Sequence, residues 1–247
     1  GPGKDDEQEE TMRRIQTRGT LWGTLIPVFL ILASLFPLLS PSFAHSQDQT
    51  VTFRWAFGTL IDEGLTLRLE PIREDRSMKS GDHFKMMVEP RTRCFVYVIY
   101  HNSQGEMIRL FPYSLEQFPA GFELNKRYYI PQGERWFELD THPGRETFYL
   151  LASARRLVEL ETLLKTYESA DPEKKPDLTT QILAQIRTER LLHREFAESA
   201  ERPVAIGGAI RGIEKAQGEN RQSIDPIAEV ISSTTGFYAK TFTIEHQ

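Results

Sequence analysis

A chain of 247 residues, 39% hydrophobic and 26% charged, lies in the ordinary globular range and can bury one good core. Its formal net charge is −5, and without a basic run this argues against nucleic acid or anionic lipid as the main partner, since those affinities rest on clustered Lys and Arg. The single Cys94 excludes an intrachain disulfide, so stability has to come from packing.

The first segment has the three parts of a secretory signal. Arg13, Arg14 and Arg18 form a positive region, Leu25 to Phe36 is mostly apolar, and Ser42-Phe43-Ala44 offers small residues where a signal peptidase cuts. Cleavage before His45 would leave 26 basic and 30 acidic residues, a charge of −4. The competing reading is an uncleaved anchor over residues 21–39, nearly the roughly 20 residues a membrane-spanning helix needs. Gly23, Thr24, Pro27 and Pro37 weaken such a helix, which favours cleavage. Residues 1–44 therefore divide from a single domain at 45–247, and the expected address is periplasmic or secreted.

From Gln47 onward the pattern is short and β-like. Thr50 to Phe57 and Leu65 to Glu70 alternate apolar and polar side chains, so one face of each can pack while the other meets water. Ser80-Gly81-Asp82 marks a turn, and Phe84 to Glu89 follows as a strand ended by Pro90. Cys94 to Tyr100 is a continuous apolar and aromatic run of the kind buried on both faces, and it is taken as the central strand. Asn102 to Gly105 then makes a hairpin to Glu106–Phe111. Arg127–Ile130, Trp136–Asp140 and Thr147–Ala152 read as further strands, the last two flanking His142-Pro143-Gly144-Arg145, which fits a type II turn. Strands at intervals of about ten residues indicate a sandwich or small barrel.

The order Ser80-Gly81-Asp82, Phe95-Val96-Tyr97-Val98, Gly105 with Leu110-Phe111-Pro112, Ile130-Pro131, and Gly144-Arg145-Glu146 leading into Leu150-Leu151-Ala152-Ser153 resembles domain-of-unknown-function family 4384. The likeness covers about Leu65 to Ser153. It implies a bacterial module, often exported or attached to larger envelope and signalling proteins, with an Ig-like β-sandwich fold and no catalytic residue to carry over.

The chain departs from that pattern after Ser153, where two helices are expected in an insertion at 155–200. Leu157, Leu160, Leu163, Leu164 and Tyr167 share one face of Arg155–Ser169, and Leu178, Ile182, Leu183, Ile186, Leu192 and Phe196 share one arc of Leu178–Ala200. Asp171-Pro172 and Pro176-Asp177 separate them, with Asp177 placed to cap the second helix. The hairpin is expected against itself or along the sheet edge, separable from the β-sheets. A short helix near Ile227–Ile231 and a final strand at Phe237–His246 complete the chain.

Chemical signals are weak. The six histidines are dispersed with no metal-ligand spacing, and His193 on the apolar face of the second helix reads as a packing residue. Cys94 reads as a core residue, no G-x-S-x-G elbow is present, and Ser103 or Ser114 with a distant histidine carries no catalytic pattern. Glu134, Glu138 and Asp140 read as solvated outward positions. Aromatic side chains are the one enrichment able to carry function. Tyr113, Phe118, Phe122 and Trp136 are the candidate binding residues, through stacking on a sugar or holding a partner's apolar anchor.

The resulting expectation is a mainly β, Ig-like sandwich with a two-helix insertion before the last strand, preceded by a signal or anchor helix. It acts as a non-catalytic accessory or adaptor module of the bacterial cell envelope that binds another protein. The alternatives are a glycan or peptidoglycan binder using the loop aromatics and, behind both, an envelope enzyme. No metal, cofactor or nucleic acid is expected, and membrane contact arises only through residues 21–39 if they are retained.

Overall fold

The structure is a computed structural model that describes residues 50–62, 64, 66–116, 122–194, 213–214 and 223–247. The expected signal or anchor segment lies outside these residues. The elements are β1 (Val51–Asp62), β2 (Thr66–Pro71), β3 (Arg76–Met78), β4 (His83–Pro90), β5 (Phe95–His101), β6 (Met107–Phe111), β7 (Tyr128–Ile130), β8 (Phe137–Glu138) and β9 (Gly144–Ser153). After them come α1 (Val158–Glu168), α2 (Lys175–Arg194), β10 (Ile213–Glu214), β11 (Glu229–Ser233) and β12 (Phe237–His246).

Among the described residues seven strands form one sheet and five the other. The first runs β10-β2-β1-β4-β7, with β11 also on β1 and β8 also on β4; the second runs β3-β12-β9-β5-β6. The period of two explains how they meet. Phe53, Trp55 and Phe57 of β1 and Phe84, Met86 and Val88 of β4 point one way, towards Val96 and Val98 of β5, Phe148, Leu150 and Ala152 of β9, and Phe242 and Ile244 of β12. Phe57 meets Phe148 at 5.2 Å and Phe242 at 5.3 Å between ring centroids, both edge to face, so the sheets pack face to face through aromatic contact.

Strand β5 is buried on both faces, as its unbroken apolar run requires. The alternate residues Tyr97 and Ile99 turn away from the shared core and join Leu151, Met107 and Phe237 under Leu157, Leu160, Leu164 and Tyr167 of the α1 segment and Ile182 and Ile186 of α2. The helical hairpin therefore covers the outer face of the second sheet and also reaches its edge strand β6, where the Met107 N–H donates to the Tyr167 hydroxyl, so it is packed as part of the domain and not as a separable excursion. Tyr97, 0% exposed, fixes the dock: its hydroxyl donates to Glu161 Oε1 at 2.7 Å and accepts the Leu157 N–H at 3.0 Å. Arg156 closes the other side of the Glu161 carboxylate.

Several boundaries differ from the sequence reading. Strand β5 is interior but second from the edge, because β9 takes the centre between β12 and β5. Helix α2 begins at Lys175 after a 3-10 turn at Pro172–Lys174, which puts Pro176 and Asp177 inside its first turn. A proline there removes an N–H that has no intrahelical partner in any case, so Pro176 does not break the helix and Asp177 is not its cap. The segment read as a helix near Ile227–Ile231 is a 3-10 turn at Asp225–Ile227 followed by β11, whose residues pair with the free half of β1 from Val51↔Ser233 to Trp55↔Glu229. Gly144 opens β9 at φ +153° instead of occupying the third position of a type II turn, and a Cβ there would lie 2.4 Å from Ser103 Cβ.

Two expected outcomes test this packing. Replacing residues 156–200 by a short Gly-Ser linker should abolish cooperative thermal unfolding and increase binding of a hydrophobic dye, since Tyr97, Ile99 and Leu151 would face water; a cooperative melt retained in the shortened chain would contradict the dock. Tyr97→Phe should lower stability by about 1–3 kcal/mol in chemical denaturation, because the Leu157 N–H and one Glu161 oxygen lose their buried partner.

Candidate functional site

Tyr113 and Phe122 come together, but as packing. Phe111, fully buried at the end of β6, receives the Tyr113 ring edge-on at 5.2 Å and the Phe122 ring stacked at 5.1 Å, and Tyr128 of β7 closes the group 5.4 Å from Phe122. The Tyr113 hydroxyl donates to the Tyr129 carbonyl at 2.6 Å, and its burial raises the pKa. These rings plug one end of the inter-sheet core. Phe118 lies outside the described residues.

Trp136 sits apart from them, on the outer face of the first sheet. Strand β7 sends Tyr128 and Ile130 inward and Tyr129 outward, and β4 likewise sends Lys85 and Met87 outward between Phe84, Met86 and Val88. Lys85, only 3% exposed, donates to the Gly133 carbonyl at 2.7 Å, with its Nζ 5.3 Å from the Tyr129 ring centroid and 5.8 Å from that of Trp136. Burial lowers its pKa, and the nearby Glu134 and Asp225 carboxylates oppose that shift.

Charges extend this outer face across three strands. Glu89 of β4, its side chain 4% exposed, is bound by Arg54 at 2.9 Å, Arg91 at 2.7 Å and Arg127 at 3.5 Å. Arg127 also reaches Asp225 at 3.0 Å, and the Asp225 carboxylate accepts the Tyr129 hydroxyl at 3.1 Å and the Ser223 hydroxyl at 2.8 Å. The network pins the turn at 223–229 onto the sheet, where Ile224 and Ile227 cover Ala56 and Met87. Gly58 is required beneath that turn, since a Cβ there would lie 2.4 Å from Ile227 Cδ1 and 2.9 Å from the Glu70 carbonyl oxygen.

Two hollows open on the helical side. One, of about 370 Å³, lies between β6 and α1 and is lined in part by Arg109, Leu115, Arg156, Val158 and Glu168. Its guanidinium groups are engaged within the chain: Arg109 with Glu168 at 2.7 Å and with the Pro112 carbonyl, Arg156 with Glu161. The other, of about 440 Å³, lies at the α1–α2 turn among Ser169, Asp171, Lys174 and Asp177. Neither involves the candidate aromatics.

The remaining sequence assignments fall as follows. Glu134, Glu138 and Asp140 are exposed. His193 stacks on Phe237 at 4.4 Å, anchoring α2 to β12. Cys94 is 5% exposed in the shared core, and burial pushes its thiol up to about 12. The sequence reading missed Lys85, Glu89, Glu161 and Asp225. A signal existed for the first two, as charged residues inside the apolar run Phe84–Val88 and directly after it; Glu161 looked like any exposed helical carboxylate, and Asp225 like a loop residue.

The family model described as "Domain of unknown function (DUF4384)" matches residues 77–156, bearing out the resemblance seen in the sequence motifs. The match runs from within β3 through β9 and leaves out β1, β2, the helical hairpin and β10 to β12. No curated protein and no solved structure matches the chain.

Cys94 gives a direct check on the core assignment. A thiol reagent at pH 8 should label it only after denaturation, and Cys94→Ala should lower stability by about 1 kcal/mol; rapid labelling of the native protein would show the thiol to be accessible.

Proposed function

We propose that this chain is a non-catalytic accessory or adaptor module of the bacterial cell envelope, an immunoglobulin-like sandwich that acts by binding another protein through its helical hairpin. The observation that carries this reading is the pairing of a firmly docked hairpin with apolar side chains left on its surface. Val158 at the start of α1 is 56% exposed, and Leu191 and Leu192 near the end of α2 are 57% and 59% exposed. A rigid helical face with large apolar side chains suits the anchoring role that buried hot-spot residues have in interfaces. The hairpin also lies beyond the family-matched segment, in line with a function particular to this chain.

The signal-like segment supports an exported, periplasmic or secreted address. Glycan binding is the second reading. It rests on Trp136, which is half-buried on the outer face of the first sheet, because Tyr113 and Phe122 are occupied in packing.

A pull-down from envelope extracts with the chain as bait tests both. Val158→Glu with Leu191→Glu and Leu192→Glu should reduce partner capture at least about tenfold while leaving the melting curve unchanged, since removing hot-spot anchors takes 2 kcal/mol or more from binding. Capture that survives these changes would move recognition off the hairpin. Retention on peptidoglycan that Trp136→Ala abolishes would favour the glycan reading instead.

A further inference from the structure

The end of the second sheet brings together three residues that no sequence motif connects. Strand β3 pairs in parallel with β12 in the register Ile244↔Arg76 and His246↔Met78, which carries the turn after β3 to the end of β12. Strand β9 pairs with the other side of β12 in the register His246↔Gly144 and Ile244↔Glu146. As a result His246, whose side chain is 0% exposed, lies with Nε2 3.0 Å from Ser80 Oγ and Nδ1 4.0 Å from Glu146 Oε1. Ser80 itself is exposed.

The environment orients this group. Glu146, 3% exposed, uses its other oxygen to accept the Tyr100 hydroxyl at 2.6 Å and the Ser103 N–H at 3.3 Å, which leaves Oε1 facing the imidazole. Nδ1 of His246 is buried and makes no hydrogen bond; the Glu146 carboxylate faces it at 4.0 Å, beyond hydrogen-bond range. A carboxylate on that side favours the proton on Nδ1, and Nε2 is then left with its lone pair towards the Ser80 hydroxyl, as a general base must be. Asp140 adds a second carboxylate within electrostatic reach of His246, itself held by the His142 N–H and ring.

One component of a serine hydrolase is missing. The Ser80 N–H donates to the Gln247 carbonyl at 3.3 Å and the Gly81 N–H to the Leu139 carbonyl at 2.8 Å, so the backbone donors beside the hydroxyl are engaged and cannot form an oxyanion hole. Neither hollow on the helical side includes Ser80. The arrangement supplies base activation without stabilisation of a tetrahedral anion.

We propose that Ser80 is an acyl-accepting modification site, activated by His246 and positioned by Glu146, whose reagents are activated esters or thioesters. In the step, Ser80 Oγ forms a bond to the acyl carbon while the bond from that carbon to the donor's oxygen or sulfur breaks. The Ser80 proton passes to His246 Nε2 and then to the departing alcohol or thiol, leaving an O-acyl serine and a neutral imidazole. An activated donor is needed because its good leaving group compensates for the absent oxyanion donors. Turnover is not required, so the site is compatible with a binding module.

The test treats the full chain with p-nitrophenyl acetate and follows acetylation by peptide mapping, with hydroxylamine lability separating serine esters from lysine amides. General-base catalysis contributes about 10²–10⁴-fold, so Ser80 should acetylate at least about 100-fold faster than the exposed Ser77 and Ser169. His246→Gln should reduce Ser80 to the rate of the other serines, and Glu146→Gln should slow it by a smaller factor. Because His246 is buried and its variant can fail to fold, the rate of Ser80 relative to Ser77 and Ser169 in the unaltered chain stands as an independent readout. Ser80 modified no faster than Ser77 and Ser169 would overturn the proposal, as would unchanged Ser80 labelling in a folded His246→Gln variant.

Discussion

Strand β5 must be covered on both faces, and the rest of the molecule is arranged around that requirement. Val96 and Val98 enter the core between the sheets, while Tyr97 and Ile99 leave an apolar strip on the opposite face of the same strand. An antiparallel sheet commonly leaves one face to water, and this one cannot. Burying side chains of this size stabilises by about 1.5–3 kcal/mol each, a large share of the few kcal/mol by which a domain is stable. The hairpin of α1 and α2 meets the requirement, and Tyr97 turns a non-directional apolar contact into a located one by binding the Leu157 N–H and Glu161 together. The same hairpin caps an exposed edge. Met107 of the edge strand β6 donates its N–H to the Tyr167 hydroxyl at 3.0 Å, so α1 blocks part of the ladder that another chain's strand would otherwise pair with.

The outer face of the first sheet is closed by different chemistry. Among the described residues a short 3-10 turn lies over it, bringing Ile224 and Ile227, and ionic contacts cover much of the rest. Glu89 collects three arginines, and Lys85 places its ammonium against two aromatic rings and a carbonyl. Removing one member of such a group is more damaging than its net contribution suggests, because the partner left behind is a buried charge. The two sheets thus differ in how they are covered: an apolar helical layer located by the Tyr97–Glu161 bond lies on one, and a face held largely by charge lies on the other. The approach on the charged side is close, as Gly58 shows: a Cβ there would lie 2.4 Å from Ile227 Cδ1.

Much of this was legible in the sequence, and the limits have physical causes. Alternation and turn signals placed β2, β4, β6, β9 and β12 to within a few residues and β1 as far as Phe57, five residues short of its end, and the uninterrupted run at 94–100 announced the two-sided burial of β5. What alternation cannot give is a partner. Strand β9 rather than β5 is central because of pairing with β12, across a separation that includes both helices, and β11 forms because half of β1 lacks a neighbour. Local propensity carries neither fact. The candidate site fared worse for a related reason: Tyr113, Phe122 and Trp136 are near one another in the chain, but β7 sends Tyr128 and Tyr129 to opposite faces, and the rings divide between the core and the outer surface. Buried polar partnerships such as Tyr97–Glu161 and Tyr100–Glu146 join residues more than forty apart, and no spacing rule reaches across such a gap.

The family-matched segment 77–156 supplies strands from within β3 to β9, yet neither sheet is complete within it. Strand β4 pairs along eight residues with β1, from Phe53↔Pro90 to Leu60↔His83, and β9 pairs along ten with β12, from Phe237↔Ser153 to His246↔Gly144. Both partners come from outside the match and lie in the interior of their sheets, β1 at the centre of one and β12 second from the edge of the other. Without them the side chains of β4 and β9 that face the shared core would lose Phe53, Trp55, Phe57, Phe242 and Ile244, which provide much of its aromatic contact. Strands β1 and β12 therefore belong to the same folding unit as the segment, and the insertion between β9 and β12 is tolerated because loop closure costs grow only slowly with length. That freedom explains how a helical layer can be added between two paired strands, provided it lands on the strip that Tyr97, Ile99 and Leu151 leave open.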